Sequence, residues 1–309
     1  MKIFGMVFPG QGSQEVGMLT ELATHHKIIK ATFSEASDII KYDLWKRIQK
    51  GPSEELNKTW ITQQALLTSS VAIWRLWQQQ GGQPPSIMSG HSLGEYSALV
   101  CSGCLEFKEA ITLVGIRGKL MQTAVPTGIG SMAAIIGLNS DIVSSACKEA
   151  AQGQVVSPVN FNSPGQVVIG GHKKAVERAS LVCKKAGAKY VLPLSVSVPS
   201  HCILMKPAAQ KLAKILKEVT FLTPKISVIN NVDVRIENEP TAIRQALVRQ
   251  LYNPVRWTES IQYLVSQGVE MLLEIGPGKV LTGLIRRSDM NILSAAVNDP
   301  TSLAIAIKR

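Results

Sequence analysis

The sequence lacks any hydrophobic run of the roughly 20 residues that a membrane-spanning helix needs. Its first apolar residues reach Pro9-Gly10 after only eight positions, which is too short for the core of a signal peptide. We therefore expect residues 3–8 to form a buried first strand, no membrane association, and a cytoplasmic location.

The sequence also lacks a cysteine framework. Its five cysteines are an odd number without regular spacing: Cys101, Cys104, Cys147, Cys183 and Cys202. Only Cys101-x-x-Cys104 resembles a redox or zinc pair, and no second pair follows it. This usage predicts a reducing compartment and no metal site.

Acidic residues are under-represented, because 33 Lys and Arg stand against 22 Asp and Glu, a net charge of +11. Such a charge favours an anionic partner, and nucleic acid has to be considered. However, the basic residues are scattered, and the aromatics, only 5% of the chain, do not alternate with them. A phosphate-bearing molecule or an acidic protein fits equally well, so charge alone does not decide.

A turn at Gly90-His91-Ser92-Leu93-Gly94 is the most informative stretch. Ile87-Met88 before it is typical of a buried strand, and residues 95–101 after it are typical of a helix. In the order strand, Gly-x-Ser-x-Gly and helix, this pattern indicates a nucleophile elbow with Ser92 at its tip. A helix N-cap serine in a glycine-rich turn is the simpler alternative.

Arg117 lies in a predicted helix at residues 108–123. Its neighbours three and four positions away are all apolar: Leu113, Val114, Leu120 and Met121. The guanidinium is thus carried on a face that should point inward. A buried arginine needs an anionic partner, which favours a carboxylate clamp, although a side chain that reaches out to solvent is the alternative.

His201 is a candidate general base, because it follows a compact unit where a cleft between domains is expected. A Ser–His pair usually has an acid that orients the imidazole, but no Asp or Glu occurs between Glu177 and Glu218. A distant acid such as Asp233 or Glu274 could take this part, and a backbone carbonyl could do so equally.

The compact unit before His201 has the order β-α-β-β-α-β, which is typical of a ferredoxin-like arrangement. Strands alternate with helices on either side of it, which predicts a mostly parallel sheet. The fold class is therefore α/β. We expect a hydrolase-like large domain at 1–127 and 196–309, with a small ferredoxin-like domain inserted at 128–195.

Over essentially its whole length, the sequence resembles malonyl-CoA:acyl-carrier-protein transacylases of bacterial fatty acid synthesis. Ordered markers carry this resemblance: Phe8-Pro9-Gly10-Gln11-Gly12-Ser13-Gln14, Ile61-Thr62-Gln63, Gly90-His91-Ser92-Leu93-Gly94-Glu95, Arg117, Asn160-Phe161-Asn162-Ser163-Pro164-Gly165-Gln166, Val198-Pro199-Ser200-His201, Asn230-Asn231-Val232 and Glu274-Ile275-Gly276-Pro277-Gly278.

The resemblance implies a ping-pong acyl transfer. Ser92 attacks the malonyl thioester with His201 as general base, and the malonyl-serine ester then passes its acyl group to the phosphopantetheine thiol of acyl carrier protein. Arg117 pairs with the malonyl carboxylate. Backbone N–H groups of Gln11 and Leu93 form the oxyanion hole.

Further roles come from the same resemblance. The main-chain carbonyl of Gln250 orients the histidine, in agreement with the missing acid near His201. Five more residues are implied as substrate-binding groups: Gln63, Asn160, Asn162, Val198 and Ser200. The implied partners are malonyl-CoA and acyl carrier protein, with no cofactor, no metal, no nucleic acid and a monomeric state.

The basic surface would steer both anionic partners, and Lys184, Lys185 and Lys189 are candidate carrier contacts. Two alternatives stay open at this point. A serine esterase or thioesterase needs the same serine and histidine but no inward arginine. A non-catalytic binding protein that kept the fold needs none of the three.

Overall fold

The computed structural model describes residues 3–126, 128–194, 198–288 and 290–308. Its strands are β1 (Phe4–Phe8), β2 (Ile87–Gly90), β3 (Gly130–Ile136), β4 (Val156–Ser163), β5 (Gln166–His172), β6 (Tyr190–Pro193), β7 (Ser227–Ile229), β8 (Met271–Ile275) and β9 (Leu293–Val297). Its α-helices are α1 (Thr20–His25), α2 (Lys27–Ile40), α3 (Leu44–Lys50), α4 (Ser53–Leu56), α5 (Thr59–Gln79), α6 (Leu93–Cys101), α7 (Phe107–Ala124), α8 (Ser140–Ala151), α9 (Lys173–Lys185), α10 (Lys206–Leu216), α11 (Pro240–Gln250), α12 (Trp257–Ser266), α13 (Val280–Arg286) and α14 (Pro300–Ile307). A short 3₁₀ helix spans Ile203–Met205.

The larger sheet is parallel, with strand order β7-β2-β1-β8-β9. Its strands are short apolar runs because helices cover both faces. In β1, Met6 and Phe8 face the core that includes α2, α5, α6 and α7, whereas Val7 faces a second core with α12 and α13. The carboxyl ends of β1 and β2 lie at the same edge of the sheet, so Pro9 and the Ser92 turn lie side by side.

The smaller sheet is antiparallel, with strand order β4-β5-β3-β6. Ala133 and Ile135 of β3 pack with α8 and α9 on one face, because alternate residues of a strand point to opposite sides. On the other face, Met132 and Ala134 pack with Cys202, which follows the sheet in the chain. This is the ferredoxin-like order, and the predicted fold class is confirmed.

The small sheet is attached to the rest of the molecule along β4. The N–H of Val255, just before α12, donates to the carbonyl of Val159 at 2.9 Å. The N–H of Phe161 in turn donates to the carbonyl of Val255 at 2.9 Å. These bonds hold Asn160, which lies between the two β4 residues, at the junction of the two sheets.

The predicted domain boundaries lie between residues 127 and 128 and between residues 195 and 196, and residues 127, 195 and 196 are outside the described residues. The division into domains therefore stays a prediction. Several elements were not predicted from the sequence, among them α4, α10, β9 and α14. Within the described part of the chain, no helix combines the length and apolar composition that crossing a membrane requires.

Candidate active site

Ser92 stands in a strained turn between β2 and α6, with φ 53° and ψ −103°. A Cβ at Gly90 would lie 1.9 Å from the carbonyl carbon of Gly94. A Cβ at Gly94 would lie 2.0 Å from the carbonyl oxygen of Phe8. Both positions therefore require glycine, and the close packing holds the Ser92 backbone in a conformation that L residues rarely adopt.

Ser92 and His201 form a hydrogen-bonded pair. The Ser92 Oγ lies 2.7 Å from His201 Nε2, and His201 Nδ1 lies 2.8 Å from the carbonyl oxygen of Gln250. Because a carbonyl only accepts, Nδ1 carries the proton, and the Nε2 lone pair faces the serine hydroxyl. Burial, with the positive charge of Arg117 as the second cause, lowers the pKa of His201 to about 3. The imidazole is therefore neutral at physiological pH and free to accept a proton.

Neither distant acid orients His201. Asp233 forms a two-point ion pair with Arg249, at 2.7 and 2.6 Å. Glu274 accepts hydrogen bonds from the backbone at the start of α13 and from the hydroxyl of Thr282. Of the alternatives that the sequence left open, the acceptor for His201 is thus the backbone carbonyl.

Arg117 is buried, with only 1% of its surface exposed, so it does not reach solvent. Its Nη2 donates to Ser92 Oγ at 3.2 Å and to Gln250 Oε1 at 3.0 Å. The guanidinium carbon lies 5.2 Å from the centroid of the Tyr96 ring. Within the described residues no carboxylate forms an ion pair with Arg117. Because a buried cation without an ion pair is costly, Arg117 favours the binding of an anionic ligand in the cavity.

A cavity of about 100 Å³ opens over Ser92, His201 and Arg117. Six of the residues predicted from the resemblance line it: Gln11, Leu93, Gln63, Asn160, Val198 and Ser200. Four lining residues were not predicted: His91, Met121, Met132 and Leu194.

Two amide side chains point unpaired acceptors at this region. Gln63 Oε1 and Asn160 Oδ1 are both buried and have no hydrogen-bond partner among the described residues. Among the described residues, the hydrogen-bond partner of Gln63 Nε2 is the weak acceptor Met121 Sδ, at 3.4 Å. Because a buried polar atom without a partner is costly, both amides favour a polar ligand in the cavity.

Asn162 does not line the cavity. Its Oδ1 lies 2.9 Å from Nε2 of His91, whose ring centroid is 5.4 Å from that of Trp257. His91 is thus a packed residue that connects the Ser92 turn with β4, and burial lowers its pKa. In the structure Asn162 thus supports the turn, and its contact with substrate stays a prediction.

Sequence reasoning assigned no role to Asn231. Its Oδ1 accepts from the Ser92 N–H at 2.7 Å, and its Nδ2 donates to the carbonyl of Gly90 at 2.7 Å. A buried pair of asparagines, Asn230-Asn231, after an apolar strand was the available signal.

The cysteines take no part in this site. All five are free and buried, and burial raises the pKa of the Cys101 thiol well above its usual value and that of Cys104 to about 11. No cluster of three His, Cys, Asp or Glu side chains suited to a metal ion occurs in the described part of the chain.

Comparison with known proteins agrees with this geometry. The acyl transferase domain family matches residues 5–302. A "Malonyl CoA-acyl carrier protein transacylase" of Salmonella typhimurium strain LT2 is 62% identical over 307 residues, which cover 99% of both chains.

Two solved structures are also similar over nearly their whole length. An acyl carrier protein S-malonyltransferase from Vibrio cholerae has a TM-score of 0.96 and 61% identity, covering 98% of this chain and 99% of that one. A type II PKS acyl-carrier protein in complex with its malonyl-transacylase gives a TM-score of 0.98 and 64% identity, covering 99% of each chain. Because the family match spans nearly all of the sequence, the chain belongs to the acyl transferase domain family and is an acyltransferase.

Proposed function

We propose that this acyltransferase moves the malonyl group from malonyl-CoA to the phosphopantetheine thiol of an acyl carrier protein and so supplies extender units for fatty acid synthesis. The observation that carries the proposal is the buried Arg117, 3.2 Å from the Oγ of a serine that is itself 2.7 Å from His201 Nε2. A nucleophile beside a buried cation that has no ion pair among the described residues suits an acyl group that ends in a carboxylate.

In the first half-reaction, Ser92 Oγ attacks the thioester carbonyl while His201 Nε2 takes the hydroxyl proton. The backbone N–H groups of Gln11 and Leu93 stabilise the oxyanion of the tetrahedral intermediate. Loss of one such donor typically lowers the rate by ~10²–10³-fold. The intermediate collapses when His201 returns the proton to the departing CoA sulfur, which leaves a malonyl ester on Ser92.

The second half-reaction reverses these steps with a different thiol. His201 Nε2 removes the proton from the carrier's phosphopantetheine sulfur, and the sulfur attacks the ester carbonyl. The bond to Ser92 Oγ breaks, and the serine regains its proton from His201. The Gln250 carbonyl keeps Nδ1 protonated throughout, so that Nε2 alone exchanges protons.

Arg117 selects the acyl group in two ways. It pairs with the free carboxylate, which acetyl lacks. Burial is the main cause of the lowered pKa of His201, and the charge of Arg117 is the second. The bound carboxylate neutralises that charge, so the histidine accepts a proton more readily once malonyl is in place. Malonyl therefore gains in the rate of acylation as well as in binding.

The remaining cavity residues contact the substrate. Gln63 and Asn160 offer to its polar groups the amide oxygens that have no partner among the described residues, and Val198 and Ser200 shape the space around the acyl chain. No cofactor enters any step, because the thioester itself provides the activated acyl group.

An acyl carrier protein as acceptor is supported by the relative solved in complex with one. The exposed Lys184 and Lys185 at the end of α9, with Lys189, are the proposed contacts for an acidic carrier. A monomer acting on one carrier at a time is the simplest arrangement for this reaction.

Intact-mass analysis after brief incubation with malonyl-CoA tests the proposal. We expect a malonyl adduct on the wild type, its absence in Ser92→Ala, and its transfer to added carrier protein. Steady release of free malonate without a transferable adduct would instead identify a serine thioesterase, and the absence of both adduct and turnover would refute acyl transfer altogether.

A further inference from the structure

A buried carboxylate lies directly beneath the candidate site. Glu95, in the first turn of α6, has only 2% of its surface exposed and does not line the cavity. Its Oε2 accepts the N–H of Asn231 at 2.9 Å and Nε2 of Gln250 at 2.8 Å. One oxygen atom thereby joins three segments that are far apart in the sequence.

Asn231 and Gln250, the two residues that donate to Glu95, also form hydrogen bonds with the turn that carries Ser92. Asn231 binds the N–H of Ser92 and the carbonyl of Gly90 through its side chain. The second N–H of the Gln250 amide donates to the carbonyl of Ser92 at 3.0 Å. The strained backbone of Ser92 is thus held on both sides by residues that Glu95 anchors.

The Gln250 amide has a single favourable orientation, which Glu95 helps to fix. With Nε2 toward the carboxylate, Oε1 accepts from Arg117 Nη2 at 3.0 Å. In the reverse orientation, Oε1 would face two acceptors, the Glu95 carboxylate and the Ser92 carbonyl, while Nε2 would face the donor Arg117. The same residue also supplies the backbone carbonyl that orients His201.

We propose that Glu95 is a positioning residue. Through the Gln250 amide and the Asn231 backbone, it holds Ser92, Arg117 and His201 in the relative positions that the reaction requires. It acts by accepting two hydrogen bonds and never touches the substrate. This inference rests on the proposed function only for the identity of the acyl donor.

The test compares Glu95→Met, which has nearly the same length but no acceptor, with Glu95→Gln, whose amide oxygen can accept both bonds. Methanesulfonyl fluoride serves as a small reagent that modifies an activated serine, and malonyl-CoA is used in a parallel single-turnover assay. Both rates are followed by intact mass. Glu274→Met is the matched control, because it also removes a buried, hydrogen-bonded carboxylate but at the start of α13.

We expect Glu95→Met to lower both rates about 10²-fold at saturating reagent, the size of effect that a misplacement of about 1 Å produces. The concentration giving half the maximal malonylation rate should change less than threefold. Glu95→Gln should stay within about threefold of wild type. Glu274→Met should lower Tm while leaving both rates within about twofold.

A folded Glu95→Met with wild-type rates would overturn the inference, and so would a Glu95→Gln variant as slow as Glu95→Met. A wild type that reacts with methanesulfonyl fluoride but not with malonyl-CoA would refute the proposed substrate. In that case the sulfonylation rates alone would still decide the role of Glu95.

Discussion

Around the cavity, the reacting side chains of the parallel-sheet region are hydrogen-bonded to one another, whereas the polar side chain that the antiparallel sheet supplies is not bonded to them. Ser92, His201 and Arg117 share direct hydrogen bonds. From the small sheet, Met132 lies on β3, and Asn160 on β4 carries an acceptor that has no partner among the described residues.

This difference separates the reaction from substrate contact. Groups that are already held in place need little reorganisation when charge develops during the reaction. Side chains without internal partners can instead change their contacts when a ligand arrives, at little cost to stability. The comparison therefore predicts losses of rate from substitutions in the first region and losses of affinity from substitutions in the second.

The largest expected effect is that of Ser92→Ala. Removing the nucleophile should lower transacylation by ~10⁴-fold or more, because no other group can form the ester. Steady-state transfer of malonyl to carrier protein measures this. Ser102→Ala, the same change at the end of α6, should leave the rate within about twofold. Retention of more than about 1% of the activity in Ser92→Ala would break the assignment of the reaction to this turn.

Arg117→Ala should follow in size. We expect kcat/KM for malonyl-CoA to fall ~10²–10³-fold, because a buried charge-assisted contact is lost. For acetyl-CoA, which has no carboxylate to bind, kcat/KM should change by less than about tenfold. Arg75→Ala, which removes an arginine paired with Glu35 outside the cavity, serves as the control. An equal loss for both substrates would show that Arg117 acts on the serine alone.

Asn160→Ala tests whether a substitution on the small sheet lowers affinity rather than rate. It should raise KM for malonyl-CoA up to about tenfold with kcat within about threefold, and Tm should not fall, because Oδ1 has no hydrogen bond to lose within the described part of the chain. Asn162→Ala on the same strand should behave in the opposite way. It breaks the bond to His91 and should lower Tm by about 2–4 °C while KM stays unchanged. A fall in Tm for Asn160→Ala would contradict the distinction.

The smallest expected effect is a pH dependence of stability. Burial raises the pKa of Glu95 from 4.5 to about 7. Between these values the folded state keeps a proton that the unfolded state releases, so this group's contribution to the free energy of unfolding falls as pH rises. The Glu95→Gln side chain cannot titrate. The Tm of this variant minus the Tm of the wild type should therefore increase by a few degrees as the pH rises from about 5 to about 8.

His201 has the opposite dependence, because its pKa falls from 6.5 to about 3 on folding. Stability from this group is present above pH 6.5 and is lost as pH falls toward 3. Both proteins contain His201, so its contribution cancels in the difference. Thermal denaturation of the two proteins in matched buffers measures the effect, and a difference that does not vary with pH would contradict the titration of Glu95.

Local patterns predicted the parts of the site that depend on neighbours in the sequence. The Gly-x-Ser-x-Gly turn follows from one strand and one helix, and the inward face of Arg117 follows from helical spacing alone. By contrast, α10, β9 and α14 were not predicted. Because lysines are frequent in α10, its narrow apolar stripe gives a weak signal in the sequence. The stripe is clear only once Ala208 and Leu212 are seen to be buried.

The histidine acceptor illustrates the limit of sequence reasoning. The absence of acidic residues near His201 left both a distant acid and a carbonyl open, and only the resemblance pointed to Gln250. The role of the Gln250 side chain had no sequence signal, because glutamine at the end of a helix is an ordinary polar residue.

By itself, the sequence indicated the serine turn, the inward face of Arg117 and the ferredoxin-like unit, since each depends on contacts or periodicities within one continuous segment. Only the tertiary structure decided that His201, Arg117 and Gln250 meet at Ser92, and that Glu95 joins them from below. The physical reason is that hydrogen bonds between residues separated by 25 to 158 positions leave no trace in local hydrophobic spacing.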